Sequence, residues 1–344
     1  MNIHSDWPVL GITMGDPSGI GPEIVIKSLA DPEITNICTP VVLGDLKILK
    51  KADINSGVLS KLFATGDLDH DFSNFPNGFL LRLSNLNPDV TKLGHPTPET
   101  GSAMETYINT GVDLALSGAI DALVTAPITK TGLKLAGSSF HGHTELIAHK
   151  TGTDNFAMMM AGPRLKVVLT TIHIPLSQVA ERLSRREITR IINLTRDTLI
   201  KRFGITSPRL AVAGLNPHAG EQGMFGNEET DIILPAVIAA RAQGIDITDA
   251  LPPDTVFFNA LEGRFDAVIC MYHDQGLIPF KLVHFRDGVN TTIGLPIIRT
   301  SVDHGTAYDI AWTGKADPTS MKEAIKMAAV QAVNQKKYGN PNGN

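Results

Sequence analysis

The chain has few cysteines, no excess of basic residues and no long apolar run. Its two cysteines, Cys38 and Cys270, lie far apart and form no CxxC motif, which favours a reducing cytoplasm over a disulfide framework. The formal net charge of -5 argues against a general nucleic-acid binder, because such proteins present a basic face. No apolar run approaches the ~20 residues of a membrane span, and the N-terminal segment lacks the features of a signal peptide. We therefore expect a cytoplasmic protein.

The glycine-rich fingerprints of the common nucleotide-binding folds are also missing. The first strand-like run, residues 9–14, is followed by Gly15-Asp-Pro-Ser-Gly-Ile-Gly-Pro-Glu23, which is neither GxGxxG nor a P-loop. Its glycines permit a tight turn, and Pro22 with Glu23 suits the first turn of a helix. The segment is either a structural turn or a cradle for an anion at a helix N-terminus, and the sequence favours neither.

The composition that is present is typical of a globular protein, with 42% hydrophobic and 19% charged residues. A chain of 344 residues exceeds the size of one hydrophobic core, so we expect two domains. Strand-like runs alternate with amphipathic segments, which predicts an α/β fold with parallel sheets. The pair Thr97-Pro98 predicts the start of one helix. Ser184 with Glu187, and Ser320 with Glu323, match the capping boxes of two more.

Three strand-like runs each lead into a histidine just beyond their ends. In open α/β sheets, ligands bind at the carboxyl ends of the strands. Neutral imidazole is a common transition-metal ligand, and a catalytic site keeps three protein ligands with one position open. The pattern predicts a metal site, while the separations of 45 and 55 residues match no short zinc motif. The runs and their histidines are 165–171 with His173, 210–214 with His218, and 265–271 with His273.

Polar residues near these histidines are further candidates. Asp274 directly follows His273, and Asp254 follows two prolines. Each could hydrogen-bond a ligating imidazole, supply an oxygen ligand or be an ordinary turn residue. His143 and Thr144 lie between a glycine and a predicted helix, so they are candidates for substrate contact.

With these motifs aligned, the chain closely resembles the 4-hydroxythreonine-4-phosphate dehydrogenase family of NAD(P)- and metal-dependent oxidoreductases. The resemblance implies an α/β, two-domain, parallel-sheet-rich fold of the isocitrate/isopropylmalate dehydrogenase type, with the active site in the interdomain cleft. We expect residues 1–125 and 300–344 to form the terminal domain with the cofactor loop, and 126–299 the middle domain with the metal ligands. The matching segments are Gly15-Asp-Pro-Ser-Gly-Ile-Gly-Pro-Glu23, Gly142-His-Thr-Glu145, Asn216-Pro-His-Ala-Gly-Glu221, Tyr272-His-Asp-Gln-Gly276, Gly288-Val-Asn290 and Asp303-His-Gly-Thr306.

The resemblance also assigns roles to residues. It implies that His173, His218 and His273 bind one divalent metal, which is zinc, magnesium, manganese or cobalt. The segment 304–311 is similar to the cofactor-contacting loop of isopropylmalate dehydrogenase, which implies NAD or NADP bound without a Rossmann motif. A homodimer whose partner subunit contributes ligands is implied as well. The implied substrate contacts are His143, Thr144, Lys281, Asn290 and Arg299. The implied cofactor contacts are His304, Gly305, Thr306 and Asp309.

The implied reaction is oxidation of a secondary alcohol in a 4-phosphorylated 3-hydroxy acid, followed by decarboxylation. The group that accepts the alcohol proton stays open among Asp254, Asp274 and a lysine such as Lys281. The substrate is 4-phosphooxy-L-threonine, D-threonate 4-phosphate or D-erythronate 4-phosphate. Asp16, which replaces a glutamate of some biosynthetic members, and the stretch 308–315 favour the two catabolic substrates. The alternatives are a cis-dihydrodiol dicarboxylate dehydrogenase, a metal hydrolase and a non-catalytic metal- or phosphate-binding homologue.

Overall fold

The computed structural model describes residues 7–53, 56–65, 71–75, 77–140 and 142–339. Its strands are β1 (Val9–Thr13), β2 (Thr39–Gly44), β3 (Phe63–Thr65), β4 (Phe79–Arg82), β5 (Ala122–Thr125), β6 (Ala157–Ala161), β7 (Lys166–Leu169), β8 (Leu210–Ala213), β9 (Ile247–Leu251), β10 (Ala267–Cys270), β11 (Val289–Ile293) and β12 (Arg299–Ser301). Its helices are α1 (Gly21–Leu29), α2 (Pro32–Thr35), α3 (Leu46–Ala52), α4 (Pro98–Leu116), α5 (Lys130–Leu135), α6 (His143–Thr151), α7 (Val179–Arg182), α8 (Arg185–Lys201), α9 (Leu234–Arg241), α10 (Val256–Leu261), α11 (His273–Val283) and α12 (Thr319–Tyr338). Short 3₁₀ or π turns lie at Leu59–Lys61, Phe72–Asn74, Leu176–Gln178, Pro217–Gly223, Glu229–Ile233 and Tyr308–Ile310. The predicted α/β class is confirmed.

The chain folds into two compact units. The first takes in the described residues up to Asp154 together with Leu295–Val333, and the second takes in Asn155–Gly294 with the described residues from Asn334 onwards. The domain boundaries predicted near residues 125 and 300 stay a prediction. In the part of the chain that the structure describes, no helix is long and apolar enough to cross a membrane.

The first unit contains a parallel sheet with the strand order β3-β4-β2-β1-β5-β12. All residues of β1, β2 and β5 are buried, as expected for strands covered on both faces. From β1 the chain runs to β2 on one side, and β5 pairs with the other side. The order of winding therefore reverses beside β1, and such a switch point leaves a crevice at the carboxyl ends of the strands.

The second unit contains a mixed sheet with the order β11-β6-β7-β10-β8-β9. The pairings of β6 with β11 and β7 are antiparallel, whereas β7, β10, β8 and β9 run parallel to one another. Cys270 is fully buried in β10, where it packs with the apolar core of this unit. The carboxyl ends of four neighbouring strands consequently lie along one edge.

The predicted helix starts are only partly confirmed. Thr97 caps α4 as expected, since its hydroxyl accepts from the Thr100 amide at 3.3 Å and Pro98 occupies the first turn. The Ser184 hydroxyl accepts from the Glu187 amide at 3.2 Å and caps α8. The capping box predicted at Ser320 is wrong, because α12 already begins at Thr319 and the Ser320 hydroxyl accepts instead from the Asp303 amide at 3.4 Å.

Candidate active site

The candidate metal ligands follow adjacent strands of the second unit. His173 lies beyond β7, His273 beyond β10 and His218 beyond β8, and these three strands are neighbours in the parallel part of the sheet. Asp254 lies beyond β9, which pairs with β8 on its far side. Because parallel strands end at the same edge, the sheet collects residues that are far apart in sequence.

The imidazoles of His173 and His273 form a pair, with ring centroids 5.7 Å apart. Two imidazoles bound to one tetrahedral zinc have ring centres roughly 5 Å apart, given a Zn–N distance of about 2 Å. The ring of His218 instead lies against Phe225, with centroids 6.3 Å apart. Among the residues that the structure describes, no group of three or more His, Cys, Asp or Glu side chains is placed to hold a metal ion. One chain thus presents two of the three predicted ligands together.

Asp274 orients the ring of His273. Its Oδ1 lies 2.7 Å from His273 Nδ1, so the carboxylate accepts the Nδ1 proton and leaves the Nε2 lone pair as the ligating position. Asp254 has a different setting, because it is exposed in the turn before α10. Of the three interpretations of Asp274, the structure supports a hydrogen bond to a candidate ligand.

Gln275 joins the ends of two of these strands, and sequence reasoning missed it. Its buried side chain donates to the Gly214 carbonyl at 2.6 Å and accepts from the Met271 amide at 2.7 Å. Gly214 begins the segment that leads to His218, and Met271 precedes His273. The amide therefore fixes the distance between the two chain segments that carry these histidines. Its place in the motif Tyr272-His-Asp-Gln-Gly276 was the available signal.

The segment that carries His218 has an unusual backbone. The non-glycine residues with positive φ in this segment are His218 at 52°, Ala219 at 55°, Glu221 at 43° and Gln222 at 56°. A left-handed helical conformation costs about 1–2 kcal/mol for each residue with a Cβ, so the surrounding structure must hold the segment in place.

Two glutamates provide that support. The buried carboxylate of Glu229 accepts from the backbone amide of Asn216 at 2.7 Å and from its side-chain amide at 3.0 Å. Glu228 accepts from the same side-chain amide at 2.7 Å. A Cβ on Gly220 would lie 2.7 Å from Glu229 Oε2, so the carboxylate packs directly against the left-handed segment. Neither Glu228 nor Glu229 belongs to a motif that sequence reasoning singled out, so this role was missed.

The remaining candidates of the second unit lie in α11 and β11. Lys281 is in the last turn of α11, about 12 Å along the helix axis from His273, and its ammonium lies 5.9 Å from the centroid of the Phe285 ring. Asn290 lies in β11, and its buried Oδ1 has no hydrogen-bond partner among the described residues. That oxygen is therefore an acceptor with a free hydrogen-bonding position.

In the first unit, His143 lies close to the buried cation of Arg299. The guanidinium donates twice to the Thr125 hydroxyl, at 2.9 and 3.2 Å, and burial lowers its pKa to about 10, an effect that the Glu145 carboxylate opposes. Burial, and secondarily the Arg299 charge, lower the pKa of His143 well below its ordinary range. His143 Nε2 is buried without a hydrogen-bond partner in the described part of the chain. Thr144 follows in the first turn of α6 and is partly buried.

The candidate cofactor residues lie on a loop that contacts the turn after β1. The Thr306 carbonyl accepts from the Ile20 amide at 3.0 Å. His304 and Asp309 are exposed, Nδ1 of His304 lies 3.0 Å from the Gly305 carbonyl, and Gly305 has open space where a Cβ would stand. The amides of Asp16, Ser18 and Gly19 also donate to acceptors within the protein. These bonds favour the structural interpretation of the glycine turn over an anion cradle.

These units define an α/β enzyme scaffold with its polar clusters at strand ends. The family model described as pyridoxal phosphate biosynthetic protein PdxA matches residues 36–328, and the chain belongs to that family. It is therefore an oxidoreductase, as its relatives are dehydrogenases.

Two curated relatives and a crystal structure illustrate the similarity. The 4-hydroxythreonine-4-phosphate dehydrogenase of Desulforapulum autotrophicum is 59% identical over 94% of this chain and 96% of the relative. The D-threonate 4-phosphate dehydrogenase of Salmonella typhimurium is 44% identical over 93% of this chain and 97% of the relative. The crystal structure of 4-hydroxythreonine-4-phosphate dehydrogenase from Klebsiella pneumoniae matches with a TM-score of 0.83 and 43% identity, over 96% of this chain and 99% of that one.

Proposed function

We propose that the chain oxidises the secondary alcohol of a 4-phosphorylated 3-hydroxy acid with NAD or NADP, and that the product then loses its carboxyl group. The observation that carries this proposal is the pairing of His143, whose Nε2 is buried, with the buried cation of Arg299. Arg299 supplies a permanent cation for a carboxylate or phosphate. His143 stays neutral because its pKa is low, so its unpartnered Nε2 can hydrogen-bond a substrate hydroxyl or anionic oxygen. Thr144, Lys281 and Asn290 complete the proposed substrate contacts.

The donor set at the strand ends fits a divalent metal. His173 and His273 have the spacing of two imidazoles on one ion, Asp274 fixes the ring of His273, and His218 is the third proposed ligand. Zinc suits imidazole best, while magnesium, manganese and cobalt also serve such reactions. A bound ion would lower the pKa of the substrate alcohol and stabilise negative charge on its oxygen. The neutral histidines leave the positive charge of the ion undiminished.

We propose that a homodimer completes this ligand set, since one chain does not assemble all three ligands. Three apolar side chains of α11 and the turn after it are largely exposed: Ile278 at 68%, Leu282 at 86% and Phe285 at 77%. Leu176 and Met224, on the segments that follow His173 and His218, are exposed as well. Large exposed apolar side chains on the segments that carry or follow the candidate ligands are typical of a surface that a second copy covers.

We assign Asp254 as the group that accepts the proton of the substrate alcohol. Asp274 is held by His273, and Lys281 lies two turns further along α11. Asp254 keeps an exposed carboxylate at the end of the strand that neighbours the one before His218. Replacement by Asn should abolish turnover while metal content, measured by elemental analysis, stays unchanged. A fully active Asp254→Asn enzyme would return the role to Asp274 or Lys281.

The two groups of relatives support different substrates. The higher identity to the 4-hydroxythreonine-4-phosphate dehydrogenase favours 4-phosphooxy-L-threonine, and we propose this substrate. D-Threonate 4-phosphate is the second candidate, because Asp16 and the stretch 308–315 favour the catabolic branch and a relative at 44% identity carries that name. The substrates differ at C2, which bears an amine in the first and a hydroxyl in the second.

The test measures NADH and NADPH formation with 4-phosphooxy-L-threonine, D-threonate 4-phosphate and D-erythronate 4-phosphate, each with and without EDTA. Chelator-sensitive turnover on the first substrate alone supports the proposal. Turnover on the sugar-acid phosphates alone would replace the substrate and retain the reaction. If all three substrates are inert, a cis-dihydrodiol dicarboxylate becomes the next substrate to test, and nicotinamide binding without any turnover would indicate a non-catalytic homologue.

A further inference from the structure

A short hydrogen bond joins the turn after β1 to the loop after β12. Tyr308 donates its phenolic hydroxyl to Asp16 Oδ2 at 2.5 Å, and Asp16 is fully buried. The other carboxylate oxygen accepts from the Ser18 amide at 2.8 Å. Burial raises the pKa of Asp16, and the hydrogen bonds from Tyr308 and Ser18 oppose that rise. Burial of a carboxylate costs free energy, and both oxygens of Asp16 are used here: one holds the Ser18 amide and the other holds the Tyr308 hydroxyl.

The same two segments touch at further points. A Cβ on Gly19 would lie 2.9 Å from the Thr306 carbonyl, which is the acceptor for the Ile20 amide. Gly94, which lies in neither segment, also packs against Tyr308, since a Cβ on Gly94 would lie 3.2 Å from the Cβ of the tyrosine. The chain is therefore closely packed at Thr306 and at the Cβ of Tyr308, beside the Tyr308–Asp16 hydrogen bond.

The loop needs such support because its backbone is strained. Ala307 has φ of 39°, in the left-handed region that residues with a Cβ rarely adopt. It lies directly between Thr306, a proposed cofactor contact, and Tyr308. A hydrogen bond at Tyr308 and another at Thr306 hold Ala307 from both sides. Loss of either bond would let the residue relax and move the proposed cofactor contacts.

Asp16 lies at the end of a strand where a ligand is expected to bind. Asp16 follows β1, and its amide donates at 2.9 Å to the carbonyl of Pro127, which follows β5. These strands flank the switch point of the first unit, where α/β sheets bind their ligands. The pair thus lies at the edge of the crevice that the topology creates.

We propose that the Tyr308–Asp16 hydrogen bond is a latch that holds residues 304–309 in the conformation that binds the nicotinamide cofactor. Tyr308 and Asp16 are positioning residues in this scheme, and neither touches the reacting atoms. The inference rests on the proposed function, because it takes the loop to be the cofactor site. Tyr308 and Asp16 would then determine the affinity for the cofactor without taking part in the reaction of the substrate.

The experiment measures the dissociation constants of NADH and NADPH by titration of full-length protein, together with steady-state kinetics. Tyr308→Phe should weaken cofactor binding by about tenfold or more, the change expected for loss of a hydrogen bond to a charged group. The KM for the cofactor should rise by the same factor, while the KM for the phosphorylated substrate and kcat at saturating cofactor stay close to wild type. Asp16→Asn keeps an acceptor and should lose less than Tyr308→Phe.

Tyr107→Phe is the matched control. Tyr107 is a buried tyrosine of the same unit whose hydroxyl lies 2.6 Å from Ser84 Oγ. The Tyr107→Phe variant should have a lower melting temperature, as Tyr308→Phe does, but its cofactor binding should be unchanged. If Tyr107→Phe weakens cofactor binding equally, the effect of Tyr308 is general destabilisation and the latch is refuted.

The remaining outcomes separate the two proposals. Wild-type protein that binds neither NADH nor NADPH would refute the proposed function and the latch together. Wild-type binding with an equally tight Tyr308→Phe variant would overturn the latch alone. A rise in the substrate KM with no change in the cofactor constants would also overturn it.

Discussion

Glu229 should control whether the His218 segment can hold a metal ligand. Removal of its carboxylate in Glu229→Ala eliminates the acceptor of two hydrogen bonds from Asn216, of 2.7 and 3.0 Å. Hydrogen bonds to a charged group contribute about 1.5–3 kcal/mol each, and the cost of burying the carboxylate offsets part of this. We therefore expect a loss of about 3 kcal/mol in the free energy of unfolding. Glu229→Gln keeps one acceptor oxygen and should lose about 1 kcal/mol.

The assay combines chemical denaturation with titration of Zn²⁺ into metal-free protein. Relaxation of the left-handed residues 218–222 should displace the imidazole of His218, so Glu229→Ala should also bind the ion at least tenfold more weakly. Glu228→Gln is the control, because Glu228 is less buried and holds only the side-chain amide of Asn216. Equal losses in Glu229→Ala and Glu229→Gln, or unchanged zinc affinity in Glu229→Ala, would refute this reasoning.

Three further predictions test the candidate site. His218→Ala should lose bound metal and turnover with its circular-dichroism spectrum retained, and an active, metal-replete variant would contradict the ligand role. Because burial lowers the pKa of His143, the unfolded chain takes up a proton near pH 6.5 that the folded chain does not. Stability should therefore fall as pH drops below 6.5, and His143→Asn should reduce that fall in melting scans between pH 7.5 and 5. Leu282→Asp replaces an apolar side chain that is 86% exposed with a charged one, so the fold should stay intact. The molecular mass measured by light scattering should fall to that of a monomer, and zinc affinity should decrease. An unchanged dimer would contradict the proposed interface.

Several features could be predicted from local sequence. Short β-branched runs, capping residues such as Thr97 and turn glycines act over a few residues, so their structural consequences follow from the chain itself. The positions of His173, His218 and His273 just beyond strand-like runs could be recognised for the same reason. The family motifs, spread from the first turn to the loop after β12, indicated the oxidoreductase class.

The tertiary structure decided which of these residues meet. Strand order brings β7, β10 and β8 together, and no sequence separation indicates that His173 pairs with His273 while His218 lies against Phe225. The Ser320 box is wrong because α12 begins one residue earlier, at Thr319, and the Ser320 hydroxyl accepts from the Asp303 amide, which is remote along the chain.

Long-range polar contacts were equally invisible in the sequence. Gln275, Glu229 and the Tyr308–Asp16 bond join segments that lie close only after the sheets form. The sequence therefore determined the chemical groups of this protein and their attachment to strand ends. Only the packing of the sheets determined their partners, because burial and hydrogen-bond geometry depend on residues that are remote along the chain.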